Sequence, residues 1–321
     1  MSVLAQHPWS WQYIRLKLSA TLFRTVGAIQ VFLGAKLGPT IPLKGVVVNH
    51  TSFPSRDKGR DIIVHIYTPE GFDTSQPRPV LINMHGSGFI VSYHGTDRLF
   101  CGHIATHTHC TVLDIDYRKA PEHPFPAALQ DVEDVLANVA AHTSQYDVSN
   151  IFLSGFSAGG CLALSTAAYL GPDRIKGVVA VYPVTDCSRV YPTPDKPFAT
   201  GEQIPKWHCE VFYDAYLLPA QARDDPRVSP LFAEPIRFPK YVYIACGDAD
   251  TFHESSELLA RKIQRGRVAG REGEVVFQSV LGEAHAFDKL ASPGTESEVQ
   301  REKMYNAASD MINRALAAGS E

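Results

Sequence analysis

One serine, Ser157, lies in the pentapeptide Gly-Phe-Ser-Ala-Gly, where an apolar run ends and a stretch of small residues begins. Gly-x-Ser-x-Gly at a strand-to-helix junction is typical of a nucleophile elbow, which exposes a serine hydroxyl for attack on a carbonyl carbon. Backbone crowding at such a turn explains glycine at Gly155 and Gly159. The N-terminus of the following helix favours negative charge at the site. The pattern therefore predicts a nucleophilic Ser157.

A serine hydroxyl needs a general base, and an acidic residue and a histidine follow Ser157 in the chain order typical of this turn. Asp248 and Asp250 come just after one apolar run, and His285 comes after a later one. Because the carboxyl ends of parallel strands meet at one edge of a sheet, these side chains can converge. We expect His285 to be the base and an aspartate to orient its ring. We favour Asp250, and Asp248 would then cap a helix or hold the turn.

The sequence His-Gly-Ser-Gly, at 85–88, follows the apolar run 80–84 and predicts an oxyanion hole. Such a loop offers backbone N–H groups, here those of Gly86 and Ser87, to a developing oxyanion. The N–H of Ala158, next to the proposed nucleophile, would complete the set of donors. We therefore expect three main-chain donors around one carbonyl oxygen.

Eight short apolar runs predict the strands that must position these groups. Helical patterns separate them, and this alternation is typical of an α/β protein with a mostly parallel sheet. Several runs are apolar at every position, as in parallel strands buried on both faces. The runs are 44–50, 61–69, 80–86, 111–117, 150–155, 177–183, 241–247 and 274–280.

Two regions depart from this alternation and predict a helical cap over the site. Residues 187–239 are rich in proline and aromatic residues and contain no clear strand, and about 1–42 has the pattern of one or two amphipathic helices. We expect a single domain, 1–321, whose cap is built from about 1–42 and about 187–239.

Composition excludes several classes of protein. A net charge of −4 without basic runs gives no indication of a nucleic-acid partner. Four basic residues, Arg15, Lys17, Arg24 and Lys36, interrupt the N-terminal apolar stretch, which falls short of the ~20 residues of a membrane span. We expect this stretch to pack on its own chain, with peripheral membrane contact as the alternative. Six scattered cysteines without a CxxC pair predict free thiols and a cytoplasmic location.

A second kind of chemistry is suggested by the segment CGHIATHTHC at 101–110. His103 and His107 could share one face of a helix, and His109 follows two residues later. However, no glutamate occupies the position that HExxH zinc sites require. We therefore expect a connecting helix there, and no metal or other cofactor.

Taken together, these motifs resemble the hormone-sensitive-lipase-like esterase/lipase branch of the α/β-hydrolases, especially its fungal members. The likeness runs from about residue 45 to the C-terminus. It implies an α/β-hydrolase fold, with a mostly parallel eight-stranded sheet, flanking helices and a helical cap, together with Ser-Asp-His catalysis and no cofactor. It also implies Asp250 as the acid, and a monomer or an edge-strand homodimer. The carrying segments are HGSGF (85–89), DYRKAPEHPFPAALQD (116–131), GFSAGG (155–160), DPRVSPLFA (225–233), DTFHES (250–255) and GEAHAF (282–287).

Several residues depart from the pattern of this family. Ser87 replaces the middle glycine of the usual His-Gly-Gly-Gly loop; it keeps the N–H donor, and its hydroxyl could add another. Phe156 stands where Asp or Thr is frequent, and Thr251 and Phe252 stand where Pro and Leu are usual. These departures indicate a divergent member with a specialised substrate.

The leading hypothesis is a serine carboxylic-ester hydrolase that acts on a small to medium apolar ester through an acyl-enzyme. Within that class, a pathway-specific deacetylase, thioesterase or lactonase of secondary metabolism is the alternative. A non-catalytic small-molecule receptor with the same fold is the alternative from another class, although all three triad residues are present. The aromatic residues expected to contact substrate are Phe89, Phe156, Trp207, Phe212 and Tyr216.

Overall fold

The protein is built on one eight-stranded sheet with the order β1-β2-β4-β3-β5-β6-β7-β8. The computed structural model describes residues 10–37, 41–71, 75–218, 221–267 and 273–318. Every run predicted to be a strand overlaps one strand of this sheet, so the predicted α/β-hydrolase fold is confirmed. The strands are β1 Val46–Pro54, β2 Asp61–Pro69, β3 Arg78–Met84, β4 Thr111–Ile115, β5 Tyr146–Phe156, β6 Gly177–Val181, β7 Tyr241–Gly247 and β8 Glu274–Val280.

Strand direction brings the predicted site residues to one edge of the sheet. β1 and β2 are antiparallel, as are β2 and β4, whereas the remaining neighbours run parallel. Ser157 follows β5, Asp250 lies three residues beyond β7, and His285 lies in the loop after β8. Since β5, β6, β7 and β8 are successive neighbours, the three loops meet at their carboxyl ends.

Helices cover the sheet and bury its central strands. Every residue of β4, β6 and β7 is buried, which accounts for the uninterrupted apolar runs. α2 packs against α8, and α4 packs against β5 and β6. The helices are α1 Trp11–Leu37, α2 Arg98–Thr108, α3 Ala127–Ala141, α4 Ala158–Leu170, α5 Lys206–Tyr216, α6 His253–Gly266, α7 Phe287–Leu290 and α8 Glu296–Ala317.

The N-terminal helix α1 packs against α5, which lies within the proposed cap insertion. The Phe23 ring of α1 lies 5.2 Å from the Phe212 ring of α5. Arg24 and Lys17 both bind the carboxylate of Glu122. Burial would raise the pKa of Glu122, but these hydrogen bonds lower it to about 2. A charged Glu122 therefore fastens α1 to the loop after β4.

Parts of the proposed cap, namely 1–9, 38–40 and 219–220, lie outside the described residues. Within the described ranges, no helix is both long enough and apolar enough to cross a membrane. All six cysteines are buried and unpaired, which confirms the prediction of free thiols.

Candidate active site

Ser157, His285 and Asp250 form a continuous chain of hydrogen bonds. The Ser157 Oγ lies 3.0 Å from Nε2 of His285, and Nδ1 of the same ring lies 2.8 Å from Oδ2 of Asp250. All three side chains are buried, and that of Asp250 is completely inaccessible. The arrangement can move a proton from the serine hydroxyl to the imidazole, while the carboxylate holds the ring and its N–H in place.

The backbone at Ser157 is strained in the way that a nucleophile elbow requires. Its φ is 53° and its ψ is −118°, which a non-glycine residue rarely adopts. A Cβ on Gly155 would lie 2.3 Å from the carbonyl of Gly159, and a Cβ on Gly159 would lie 1.9 Å from the carbonyl oxygen of Met84. Larger residues would therefore collide with main-chain atoms, which explains the two glycines that bracket the serine.

The two candidate aspartates lie in different surroundings. Asp250 contacts His285, and its Oδ1 accepts a hydrogen bond from the N–H of Phe252 at 2.8 Å. Asp248 instead accepts from the N–H of Gly282 at 2.7 Å and pairs with Lys196 at 3.1 Å. Asp248 thus holds the turn after β8, and Asp250 is the carboxylate placed to orient the imidazole.

A segment of the region 187–239 clamps the loop that carries His285, which sequence reasoning did not predict. The N–H of His285 donates to the carbonyl of Glu202 at 3.0 Å, and the N–H of Glu202 donates back at 2.8 Å. The N–H of Ala284 donates to Thr200 at 2.9 Å. These are isolated bridges between distant parts of the chain, so no local apolar pattern marks them.

The oxyanion loop lies directly against the nucleophile. A Cβ added to Gly86 would lie 3.6 Å from the Cβ of Ser157. The N–H groups of Gly86 and Ser87 make no hydrogen bond to protein within the described ranges, and Ala158 opens α4. Helix-opening and loop amides of this kind are suited to receive a negatively charged oxygen.

The hydroxyl of Ser87 is occupied by the protein itself and adds no donor toward a substrate. Tyr117 donates to the carbonyl of His85 at 2.7 Å, so its oxygen accepts from Ser87 at 2.6 Å. The Ser87 Oγ in turn accepts from the N–H of Phe89 at 2.8 Å. Serine in place of glycine therefore braces the loop.

His85 opens this loop as a neutral side chain. Burial, followed by the positive charge of Lys119, lowers its pKa to about 4. Its ring lies 3.4 Å from Asp116, which also pairs with Lys119 at 3.0 Å. Asp116 and Glu122 thus form ion pairs with basic side chains and take no part in the triad.

Four of the five predicted substrate contacts lie near α5. The ring of Phe212 packs against Gly88 of the oxyanion loop, because a Cβ added to Gly88 would lie only 2.9 Å from that ring. Phe89 and Tyr216 stack with 3.9 Å between ring centroids, and both are buried. Trp207 is 56% exposed and packs on Phe23 at 5.9 Å. These four rings form an aromatic wall beside the oxyanion loop, and Phe212 is the member that lies against Gly88.

The fifth residue, Phe156, points away from this wall. Successive side chains of a strand alternate between the two faces of the sheet, and Phe156 shares its face with Ser154. Its ring packs on Phe100 of α2 at 5.1 Å, beneath the ammonium group of Lys289 at 3.6 Å. It is buried in the core, so we withdraw it from the predicted substrate contacts.

The histidines of α2 are engaged with the protein. His103 and His107 stack at 3.9 Å, Nε2 of His103 lies 3.1 Å from the hydroxyl of Ser309, and Nδ1 of His107 lies 2.8 Å from the carbonyl of His103. Among the described residues, neither histidine belongs to a cluster of three side chains that could together bind a metal ion. The segment is the connecting helix that its position predicts.

Comparison with known proteins agrees with this geometry. A family model described as alpha/beta hydrolase fold matches residues 81–289. An ethyl acetate hydrolase of Pseudomonas putida is 27% identical over 251 residues, which cover 76% of this chain and 77% of that protein. A versiconal hemiacetal acetate esterase of Aspergillus parasiticus is 28% identical over 245 residues, covering 70% and 76% respectively.

Solved structures have the same fold. An esterase of Pyrobaculum calidifontis superposes with a TM-score of 0.70 at 25% identity, and the match covers 93% of this chain and 92% of that one. The nucleophile loop, the oxyanion loop and the histidine loop all fall inside the stretch that the family model matches.

Proposed function

Because the chain belongs to the α/β-hydrolase fold family, in its hormone-sensitive-lipase-like branch, and is a carboxylic-ester hydrolase, we propose that it cleaves small to medium apolar esters through an acyl-enzyme on Ser157. The observation that carries this mechanism is the unbroken contact from Ser157 through His285 to Asp250. The nucleophile, the base and the carboxylate that orients the base each lie within hydrogen-bond reach of the next.

In the first half-reaction, Oγ of Ser157 attacks the ester carbonyl carbon while its proton passes to Nε2 of His285. The carbonyl oxygen becomes an oxyanion, which the amides of Gly86, Ser87 and Ala158 bind. The C–O bond to the alcohol then breaks, and His285 gives its proton to the departing oxygen. Asp250 stabilises the imidazolium without taking the proton.

In the second half-reaction, water attacks the acyl carbon and His285 accepts a proton from it. The same amides hold the second oxyanion, and the bond to Oγ of Ser157 breaks as the proton returns to the serine. The products are one carboxylic acid and one alcohol, so one water is consumed in each cycle.

The acyl group of the substrate is proposed to be short. The ring of Phe212 lies against Gly88 and fills space beside the oxyanion loop. The names of two relatives specify acetate esters, from Pseudomonas putida and Aspergillus parasiticus. The second relative also supports the alternative of a pathway-specific deacetylase of secondary metabolism.

Hydrolysis of p-nitrophenyl esters from acetate to laurate tests this proposal. We expect turnover with kcat/KM at least ~10-fold higher for acetate than for laurate. The reason is that the aromatic wall leaves little room for a long acyl chain and raises the transition-state free energy of the laurate ester by a few kcal/mol. Phe212→Ala should move the optimum to longer chains, since it opens the space beside Gly88. Glu210→Ala, which alters an exposed side chain of the same helix outside the aromatic wall, is the matched control and should leave the optimum unchanged.

Two outcomes would contradict the proposal. A folded protein that turns over none of these esters and also resists serine-directed reagents would favour the receptor alternative. A preference for laurate would refute the short acyl group while leaving the esterase mechanism intact.

The buried thiols support a reducing compartment such as the cytoplasm. We expect a monomer or a homodimer, and a small-molecule ester as the partner.

A further inference from the structure

Five polar side chains lie side by side on one face of the sheet. His50 of β1 is paired in register with His65 of β2, and His65 with Asp114 of β4. Asp114 is paired with Asn83 of β3, and Asn83 with Ser154 of β5. Paired residues on neighbouring strands point to the same face, so this row reaches from the exposed edge strand into the core.

Two histidines and a carboxylate meet in this row. His94, from the loop after β3, stacks on His65 with 3.9 Å between ring centroids. One ligand atom from each of His65, His94 and Asp114 lies within 4.8 Å of the others. The Nε2 of His94 is 3.5 Å from Oδ2 of Asp114. Two ligands about 2.1 Å from a tetrahedral ion are separated by about 3.4 Å, so this spacing fits a shared ion.

The carboxylate of Asp114 has one oxygen without a hydrogen bond. Asp114 is completely buried, and Nδ2 of Asn83 donates to its Oδ1 at 2.8 Å. Its Oδ2 has no hydrogen-bond partner among the described residues. Leaving a buried carboxylate oxygen unpaired is costly, and this one faces the two imidazoles.

Charge balance in the surrounding core favours a cation at this oxygen. Asn83 also donates to Asp97 at 2.9 Å, so it joins two buried carboxylates. Lys289 pairs with Asp97 and with Asp288, each at 2.8 Å. Within the described ranges, neither lysine nor arginine pairs with Asp114. Lys289 therefore compensates Asp97 and Asp288, and no lysine or arginine of the described ranges compensates Asp114.

From this arrangement we infer a binding site for one divalent transition-metal ion, Zn²⁺ or an ion of similar chemistry, held by His65, His94 and Asp114. Two imidazoles and a carboxylate form a ligand set that such ions favour. Asn83 orients the carboxylate from behind. His65 is half-buried beside the exposed His50, so an ion can enter from solvent, and water or His50 supplies the fourth ligand.

Binding changes one existing contact. Nε2 of His94 now lies 2.9 Å from the carbonyl oxygen of Asp114 and therefore carries the proton. When this nitrogen binds the ion, its proton moves to Nδ1, and the ring turns from the carbonyl toward the carboxylate. The site uses none of the triad residues, so its existence is independent of the esterase mechanism.

Titration of chelator-treated wild-type protein with Co²⁺ tests the inference, since Co²⁺ in a four-coordinate site absorbs visible light strongly. We expect one equivalent per chain, competition by Zn²⁺, and a higher Tm with Zn²⁺. His65→Phe keeps a stacked ring but removes a ligand, and Asp114→Asn keeps the acceptor for Asn83. Each should weaken binding at least ~10-fold. The matched control, His107→Phe, alters a stacked histidine of α2 and should bind as wild type does.

The inference is overturned if folded wild type binds no Co²⁺, or if His65→Phe binds it with wild-type affinity. It is also overturned if His107→Phe abolishes binding, which would place the ion on α2. Should Asp114→Asn fail to fold, His65→Phe carries the test, because its position on β2 is half-exposed.

Discussion

Replacing His285 with alanine is expected to lower kcat for p-nitrophenyl acetate by roughly 10⁶-fold, in line with removal of the base in another serine hydrolase. The imidazole lies 3.0 Å from Oγ of Ser157, and the variant leaves the hydroxyl without a proton acceptor. Acylation and deacylation both need this imidazole, so the variant is impaired in both half-reactions. Stopped assays over hours with wild-type and variant protein of equal purity measure the ratio.

His253→Ala is the matched control for this variant. His253 opens α6 three residues after Asp250, and its Nε2 lies 2.8 Å from the hydroxyl of Ser279, outside the catalytic chain. We expect its kcat to stay within about threefold of wild type, because it touches no reacting group. Equal losses in both variants, or less than about tenfold loss in His285→Ala, would refute His285 as the base.

Asp250→Asn should lower kcat by about 10⁴-fold, the size of the effect when a triad aspartate loses its charge. Asparagine fits the same space, but its amide favours the wrong tautomer of His285 and cannot stabilise an imidazolium. The exchange removes the acceptor that now lies 2.8 Å from Nδ1. Initial rates with p-nitrophenyl acetate, alongside circular dichroism to verify folding, give the comparison.

Asp248→Asn provides the control from the same loop. Its remaining carbonyl oxygen can still accept from the N–H of Gly282, and only a partly exposed ion pair with Lys196 is lost. Such pairs contribute about 0–1 kcal/mol, so we expect at most a few-fold change in kcat. A larger loss in Asp248→Asn than in Asp250→Asn would exchange the roles of the two residues.

The local sequence pattern was sufficient to predict the strands and the order of the catalytic residues along the chain. Apolar runs located all eight strands, because a strand that is buried on both faces has few polar positions. Their ends were less well predicted: β5 begins at Tyr146, whereas the predicted run begins at residue 150. Among the missed residues, polar Asp147 and Ser149 alternate with Tyr146 and the exposed Val148, so they form no continuous apolar run.

Contacts between distant segments could not be predicted from local sequence patterns. The clamp of Thr200 and Glu202 on the His285 loop joins parts of the chain more than 80 residues apart through main-chain groups. Phe156 neighbours Ser157 in the sequence, yet strand alternation turns its ring into the core rather than toward the predicted substrate pocket. The group of His65, His94 and Asp114 depends on strand register, which the sequence does not specify by itself.

The most direct test of the central claim is intact-mass measurement after reaction with a fluorophosphonate. Oγ of Ser157 should displace fluoride and form an O–P bond, which adds one adduct per chain that peptide mapping assigns to Ser157. Ser157→Ala, with wild-type circular dichroism, should remain unlabelled. Absence of an adduct on folded wild-type protein, or an adduct that persists in Ser157→Ala, would contradict the assignment of Ser157 as the nucleophile.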